Sequence, residues 1–95
     1  MQKRKECYVC YDTSNLESHH CLYGTANRKL AEKDGLKVWL CVEHHRGNYG
    51  VHGKYGHTID SLLKSEAQQI WMGYYNKTKE DFIKKYGRNY LWQQG

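Results

Sequence analysis

The chain of 95 residues has a formal net charge of +5 and a mean hydropathy of −0.96. This length fits one domain with a small core, which often needs a metal ion or disulfides for stability. No run approaches the roughly 20 apolar residues of a membrane span, and the basic start MQKRKECYVC lacks the apolar segment of a secretory signal. We therefore expect a cytoplasmic protein with no membrane partner, whose cysteines are metal ligands rather than disulfides. The positive charge favours a polyanionic partner such as nucleic acid.

Two short strands are predicted in the first half of the chain. Residues 16–23 form the first, and residues 36–42, rich in β-branched and aromatic side chains, form the second. The polar residues 24–35 between them are expected to be a long loop with at most a helical turn. Residues 43–46 could begin a helix. Residues 47–56, GNYGVHGKYG, contain four glycines and are expected to form a loop.

The second half of the chain is predicted to be helical. Asp60 is the expected N-cap of SLLKSEAQQIWMGYY, whose apolar residues recur at helical spacing. Thr78 and Asp81 resemble a capping box that opens KEDFIKKY, and Gly87 suits the end of that helix. We interpret residues 57–95 as a helical cap that completes the core. The side chains expected to be buried there are Leu62, Leu63, Ala67, Ile70, Trp71, Tyr74, Phe82, Ile83, Tyr86, Tyr90, Leu91 and Trp92.

Two pairs of residues have the spacing of metal ligands, namely Cys7-x-x-Cys10 and Cys41-x-x-His44. The x-x spacing lets two side chains of one tight turn converge on one ion, and three thiolates with one imidazole suit tetrahedral zinc. Two such pairs on separate segments would cross-link a small fold. The alternative is that Cys41 is a buried strand cysteine and His44 a surface residue. Cys21 is expected to be a packed thiol rather than a ligand.

Two His-His pairs, His19-His20 and His44-His45, lie near the ends of the predicted strands. Adjacent residues of a strand point to opposite faces, so His19 and His20 are expected to differ in role unless the strand ends or bends there. One could bind a divalent cation while the other activates a water molecule, because a histidine near its free pKa suits a general base at neutral pH. The alternative is a pair of exposed histidines. If His44 binds zinc, His45 is free to serve another site.

The order of these features resembles the zinc-bearing HNH nucleases, the ββα-metal family. That order is C-x-x-C, a strand ending in His-His, a loop, a second strand ending in Leu-Cys-x-x-His-His, and a short helix. The segments GTANRK, GVH and GRNYL also resemble small phage-encoded HNH proteins. The resemblance implies a single α+β domain over residues 1–95. It would contain a ββα-metal core with structural zinc over residues 7–52, followed by the helical cap over residues 57–95.

The same resemblance assigns roles to the histidines. His19 would bind a catalytic cation, with Mg²⁺ or Mn²⁺ favoured and Ni²⁺ or Zn²⁺ as further candidates. His20 would be the general base, and His45 would supply a second ligand from the short helix. The family often has another helix histidine four residues later, where this chain has Tyr49. His52, in the glycine-rich loop, is expected to take that place.

The chain departs from the HNH pattern at the central asparagine. Asp34 and Gly35 occupy the position just before the second strand where that residue is expected. Asn27 or Asn48 could substitute, and Asn27 is also a candidate for a purely structural role. His57 is a second candidate for the ligand role given to His52. These departures leave the level of activity open.

The function that the resemblance implies is a metal-dependent DNA endonuclease. His20 would take a proton from a water molecule that attacks phosphorus in line, leaving a 5′-phosphate and a 3′-hydroxyl. The alternative is a catalytically decayed HNH scaffold that serves as a zinc-stapled DNA- or protein-binding module. Duplex or branched DNA is the expected partner, and a homodimer through the cap is a further candidate. The residues expected to contact phosphates, unless they form only a solvated basic face, are Arg28, Lys29, Lys37, Arg46 and Lys54.

Overall fold

A two-stranded antiparallel sheet and four helices make up residues 1–91, the part of the chain that the computed structural model describes. The predicted α+β class is confirmed. No helix within residues 1–91 is long and apolar enough to cross a membrane. Trp92, predicted to pack in the tail, lies outside the described residues. The elements in chain order are β1 (Leu16–His20), α1 (Thr25–Asp34), β2 (Lys37–Cys41), α2 (Val42–Arg46), α3 (His57–Tyr75) and α4 (Lys79–Tyr86).

The sheet brings the start of β1 beside the end of β2, with Leu16 opposite Cys41 and His20 opposite Lys37. Both strands were predicted, but β1 ends at His20 and does not continue to Tyr23. The reason is that Cys21 and Leu22 are both fully buried. Successive side chains of a strand face opposite sides, so two neighbours can enter one core only where the chain bends.

Residues 25–34 form helix α1, so the prediction of a loop between the strands is wrong. Ala, Arg, Lys, Leu and Glu in TANRKLAEKD are good helix formers. The helix ends at Gly35, which adopts the left-handed conformation (φ 71°) that favours glycine at this position. The helix was hidden in the sequence because only Ala31 is buried among its ten residues, so no apolar stripe marks it.

Helix α3 begins at His57 after Gly56, so the prediction that Asp60 is its N-cap is also wrong. Asp60 lies within the first turn, where its side chain is largely buried and pairs with Lys64 at 2.9 Å. A carboxylate in the first turn interacts favourably with the helix dipole without capping a backbone N–H.

The buried face of α3 is narrower than predicted. Leu63, Ala67 and Trp71 are buried at four-residue spacing. The predicted core residues Leu62, Ile70 and Tyr74 are 42, 39 and 81% exposed. They lie on the neighbouring row of the helix, about 100° away from the buried row.

Helix α4 begins with the predicted capping box. The Asp81 backbone N–H donates to Thr78 Oγ1 at 3.1 Å, and the Thr78 N–H donates to Asp81 Oδ2 at 3.0 Å. Phe82 and Tyr86 are buried as predicted, whereas Ile83 is 36% exposed. The helix therefore contributes a two-residue aromatic face to the core.

Asp34 ties α1 to the helical cap. The end of α1 is thereby fixed against α3 and α4. Burial opposes ionisation of Asp34, but the hydrogen bonds, led by that of Lys85, outweigh burial and lower the pKa of this carboxyl. The four donors that its carboxylate accepts from are Trp71 Nε1 at 3.0 Å, Tyr75 OH at 3.3 Å, Lys85 Nζ at 2.7 Å and Tyr86 OH at 2.6 Å.

The tail returns to the core through Gln68, a fully buried residue of α3. Gln68 Oε1 accepts from the Tyr90 backbone N–H at 2.7 Å, and Gln68 Nε2 donates to Asn89 Oδ1 at 2.9 Å. Tyr90 packs against the core and Leu91 is partly buried. The predicted docking of Tyr90 is therefore confirmed.

Candidate metal centres

The turn that carries Cys7 and Cys10 lies directly against β2. Within the turn, Cys7 N–H donates to the Asp12 carbonyl at 2.8 Å and Tyr11 N–H donates to the Cys7 carbonyl at 2.9 Å. The Tyr8 N–H reaches the carbonyl of Trp39 on β2 at 2.9 Å. These bonds place the first cysteine pair beside the end of β2.

Cys7, Cys10, Cys41 and His44 bring four donor atoms within 4.8 Å of one another. Sγ of Cys41 lies 3.2 Å from Nδ1 of His44, and Sγ of Cys10 lies 3.8 Å from Sγ of Cys41. Ligands of tetrahedral zinc are about 3.5–3.8 Å apart, given bond lengths of about 2.0–2.3 Å. This group, called the cysteine cluster below, could therefore hold a metal ion.

The Cys7 thiol is prepared for the thiolate form that binds metals. Burial acts to raise its pKa, but hydrogen bonds from the backbone at Cys41, Cys10 and Val9 outweigh burial and lower the pKa to about 6. Cys21 differs because burial raises the pKa of its thiol to about 12. Cys21 is not part of the cluster, and its sulfur contacts Met1 Sδ at 3.6 Å.

A second group consists of His19, His45 and His52, called the histidine cluster below. One ring nitrogen from each lies within 4.8 Å of the others, and the ring centroids are 4.9–5.2 Å apart. The three residues come from β1, α2 and the loop after α2. His19 is only 3% exposed, and within residues 1–91 its Nε2 has no hydrogen-bond partner. A buried polar atom without a partner is costly unless a ligand satisfies it.

His52 reaches the cluster because the chain folds back over α2. The Val51 and His52 N–H groups donate to the carbonyls of His44 and His45 at 2.9 and 3.1 Å. Helix α2 ends at Arg46, so Tyr49 does not continue its face and is 63% exposed. Tyr49, four residues after His45, therefore does not face the cluster as it would on a longer helix. His52, seven residues after His45, takes that place instead.

Burial favours the neutral, metal-binding form of two of the three imidazoles, those of His19 and His52. Burial first, and then the neighbouring His45 and His52, lower the pKa of His19 to about 4. Burial and the proximity of His45 also lower the pKa of His52. Neutral imidazoles have a free lone pair at neutral pH, as a cation site requires.

Glu17 of β1 orients His45 of α2. Its Oε1 lies 2.8 Å from His45 Nδ1 and accepts from Arg46 Nε at 3.0 Å. A carboxylate on one ring nitrogen fixes the tautomer and leaves the other nitrogen for a cation. Arg46 is a predicted phosphate contact, and its guanidinium is already paired with Glu17.

Tyr23, which the sequence interpretation missed, lies beside His52 and is bonded to a further missed pair, Asp60 and Lys64. Tyr23 OH donates to Asp60 Oδ1 at 3.1 Å, and Lys64 pairs with the other oxygen of Asp60. The Tyr23 ring centroid is 5.6 Å from that of His52 and 6.0 Å from that of His19. The error in placing the start of α3 concealed this relationship, because Asp60 was assigned to a cap.

His20 lines the same cavity of about 290 Å³ as the histidine cluster, although it neighbours His19 on β1. Two neighbouring strand residues can line one cavity because β1 ends and bends at His20, the case in which the opposite-face rule does not hold. His20 Nε2 lies 2.8 Å from Glu32 Oε2 of α1, and Glu32 also accepts from Lys37 Nζ at 2.9 Å. Glu32 was not predicted as a site residue because α1 was interpreted as a loop.

The predicted basic residues are divided between two places. Arg28, Lys29 and Lys37 line an open cavity of about 980 Å³ that also contains His20 and Tyr23. Lys54 lies instead in the loop after α2, with Nζ 5.4 Å from the Tyr55 ring centroid.

The candidates for the central asparagine make structural contacts. Asn27 Nδ2 donates to the Tyr86 carbonyl at 3.2 Å and ties α1 to α4. The carbonyl of Asn48 accepts from the Tyr55 N–H at 2.7 Å. His57 opens α3 and is not a member of either cluster.

The first half of the fold thus contains two clusters of different chemistry. One offers three thiols and an imidazole, and the other offers three imidazoles beside a histidine–carboxylate pair. The chain matches no family model, no curated protein and no solved structure.

Proposed function

We propose that this protein is a metal-dependent DNA endonuclease of the HNH type. The proposal rests on one observation above all. Three imidazole nitrogens converge within 4.8 Å in a cavity that His20 also lines. In this proposal the cysteine cluster binds structural zinc, and the histidine cluster binds the catalytic cation.

The residues fit a cation at the second cluster. The buried Nε2 of His19 has no partner within residues 1–91, and a cation would satisfy it. An all-imidazole donor set binds Ni²⁺ and Zn²⁺ more tightly than Mn²⁺, and it is least suited to Mg²⁺, which prefers oxygen ligands and retains its waters. Of the two ions that the resemblance favours, we therefore rank Mn²⁺ above Mg²⁺.

The chemistry divides among residues of this chain. A cation held by His19, His45 and His52 would stabilise the negative charge that develops during cleavage. His20 takes the proton of the attacking water molecule. Glu32 accepts a hydrogen bond from Nε2 of the neutral His20 ring. Nδ1 of His20 then keeps its lone pair and can accept the proton. The negative charge of Glu32 then stabilises the imidazolium that forms.

The basic cavity next to His20 supplies the contacts to the DNA backbone. Arg28 lines both this cavity and the cavity of the histidine cluster. Lys29 lies one residue further along α1 and belongs to the open cavity alone. A phosphodiester held by Arg28 would lie in the cavity that His20 and the histidine cluster both line, and its binding would weaken as salt is raised.

A non-catalytic binding module is the second candidate. It is favoured by the position of Asn27, whose side chain is used against Tyr86 and does not order the site. Asp34, at the position of the expected asparagine, is likewise used to join three helices. In this alternative the zinc-stapled scaffold binds DNA or a protein without cleavage.

Nicking of supercoiled plasmid tests the proposal. Wild type, His20→Ala and His57→Ala would be compared in Mg²⁺, Mn²⁺, Ni²⁺ and EDTA, after each protein is verified as folded and zinc-loaded. His57→Ala is the matched control because it removes an exposed histidine outside both clusters. We expect nicking in Mn²⁺ by wild type and His57→Ala. His20→Ala should lose about 10²- to 10⁴-fold in rate, the usual contribution of a general base.

Two outcomes would overturn the proposal. Absence of cleavage of plasmid and branched DNA by the zinc-loaded wild type in every metal would favour the binding module. Equal cleavage by wild type and His20→Ala would exclude His20 as the base.

A further inference from the structure

The loop between α2 and α3 has a glycine at every third position: Gly47, Gly50, Gly53 and Gly56. The N–H groups of Gly50, Gly53 and Gly56 each donate to the carbonyl of the preceding glycine, at 2.9, 2.8 and 3.2 Å in turn. A Cβ at position 53 would overlap the carbonyl oxygen of Gly47, and one at position 56 would overlap that of Gly50. The loop is therefore a tight coil in which backbone segments six residues apart touch, and only glycine fits at these contacts.

The residues between the glycines lie in three different environments: the core, the histidine cluster and the surface. Val51 is 6% exposed and belongs to the core, and His52 joins the histidine cluster. Tyr49 and Tyr55, each three residues from His52, stack on each other with ring centroids 5.2 Å apart and an interplanar angle of 28°. Both residues remain open to solvent: Tyr49 is 63% exposed and Tyr55 is 55% exposed.

The tyrosine pair is a rigid aromatic surface with one lysine beside it. The glycine contacts hold the backbone under both rings, so little conformational entropy is lost when a ligand stacks on them. Lys54 lies between the rings in sequence, with its ammonium 5.4 Å from the Tyr55 centroid, and can meet a phosphate. Flat aromatic surface next to positive charge is what a nucleobase with its phosphate requires.

We propose that Tyr49 and Tyr55 form a stacking platform for an unpaired nucleobase of DNA. A base within a duplex has both faces covered by its neighbours, whereas an unpaired base has a face free to stack on tyrosine. The Cα atoms of Tyr49 and Tyr55 each lie at most about 11 Å from that of His52, so the platform and the histidine cluster can meet the same short stretch of DNA. This inference rests on the proposed function and narrows its substrate. The DNA has an unpaired base close to the cleaved phosphodiester, as in a flap, a mismatch or a branch.

Binding measurements without the second cation test the platform separately from cleavage. Fluorescence anisotropy would compare a single-stranded oligonucleotide, a hairpin with an unpaired loop and a blunt duplex, using zinc-loaded protein. The variants are Tyr49→Leu and Tyr55→Leu, which keep apolar bulk but lose the aromatic face, and Tyr49→Phe and Tyr55→Phe as matched controls. Each leucine variant should lose about 5- to 150-fold in affinity for the single strand and the hairpin. The phenylalanine variants and the affinity for duplex should stay within about twofold of wild type.

The platform is overturned if the leucine variants bind the single strand as tightly as wild type does. It is also overturned if the wild type binds no unpaired DNA, or if affinity for duplex falls as much as affinity for the single strand. Loss of single-strand binding in a protein that cleaves no DNA would support the platform while the endonuclease proposal fails. If the leucine variants cleave DNA and bind the single strand as the wild type does, the platform fails while the endonuclease proposal stands.

Discussion

Nε2 of His20, at the end of β1, lies 2.8 Å from Oε2 of Glu32 on α1. We expect Glu32→Gln to lower the nicking rate, because the amide keeps a polar group near the ring but removes the charge that stabilises the imidazolium. The loss should be smaller than the roughly 10²- to 10⁴-fold cost of removing the base itself. Lys33→Gln, an exposed change on the same helix, is the matched control. Nicking by Glu32→Gln at the wild-type rate would show that the pair has no part in catalysis.

The cysteine cluster should decide whether the protein folds. Structural zinc contributes about 10 kcal/mol or more of apparent binding free energy in small domains, comparable with the whole stability of a domain this size. We therefore expect Cys10→Ser to lose one equivalent of zinc by mass spectrometry and to lose most of its helical circular dichroism.

Cys21→Ala is the control for the zinc measurement, because Cys21 is a buried thiol outside the cluster. It should keep the zinc content of wild type and lose only about 1–2 kcal/mol of stability, as is typical for a small core truncation. Zinc loss in Cys21→Ala, or a Cys10→Ser protein that retains zinc, would contradict the assignment.

Burial of His19 should make stability depend on pH. Its pKa is about 4 in the folded chain, against an ordinary value of 6.5, so between these limits the unfolded chain binds a proton that the folded chain does not. The free energy of unfolding should therefore fall as pH drops below 6.5, by on the order of 2 kcal/mol by pH 5. His19→Asn should lack this component of the slope.

Urea unfolding of zinc-loaded protein between pH 7 and 5 measures how the free energy of unfolding changes with pH, in a range where the thiolates still hold zinc. Ser18→Ala, an exposed change on the same strand, should keep the wild-type slope. Only the slope is diagnostic, because His19→Asn also changes the packing. Equal slopes for wild type and His19→Asn would mean that the imidazole is hydrated in the folded chain.

Local spacing was enough to predict the cysteine cluster and the capping box of α4. Each ligand pair of the cysteine cluster lies within a segment of four residues. Thr78 and Asp81 likewise contact each other across one helical turn. Such features depend on bonds between near neighbours, which residue type and spacing largely determine.

Glu32, Asp60 and the glycine coil could not be predicted in the same way. Glu32 faces His20 only because α1 is a helix, and α1 is marked by helix propensity rather than by an apolar stripe. Asp60 acquires its role from Tyr23, 37 residues away in the chain. The glycines predicted only a loop. The structure shows that the same glycines are required because backbone segments touch there in a close-packed coil.

Gly53 and Gly73 provide a direct comparison of a required glycine with a replaceable one. A Cβ at position 53 would overlap a backbone carbonyl oxygen, whereas a Cβ at position 73 in α3 meets nothing within 4 Å. We expect Gly73→Ala to stabilise the protein by about 0.5–1 kcal/mol, the helix propensity difference. Gly53→Ala should destabilise it by about 2 kcal/mol or more, because backbone must move against backbone.

Metal binding separates this effect from a general loss of stability. Gly53→Ala should displace His52 and weaken binding of Ni²⁺ to zinc-loaded protein, measured by titration calorimetry at a temperature where the variant is folded. Zinc in the cysteine cluster should remain, because His44 and Cys41 precede the coil. Gly73→Ala should bind Ni²⁺ as wild type does. If Gly53→Ala also bound Ni²⁺ normally, the coil could open without moving His52, and its close packing would then serve the tyrosine pair rather than the histidine cluster.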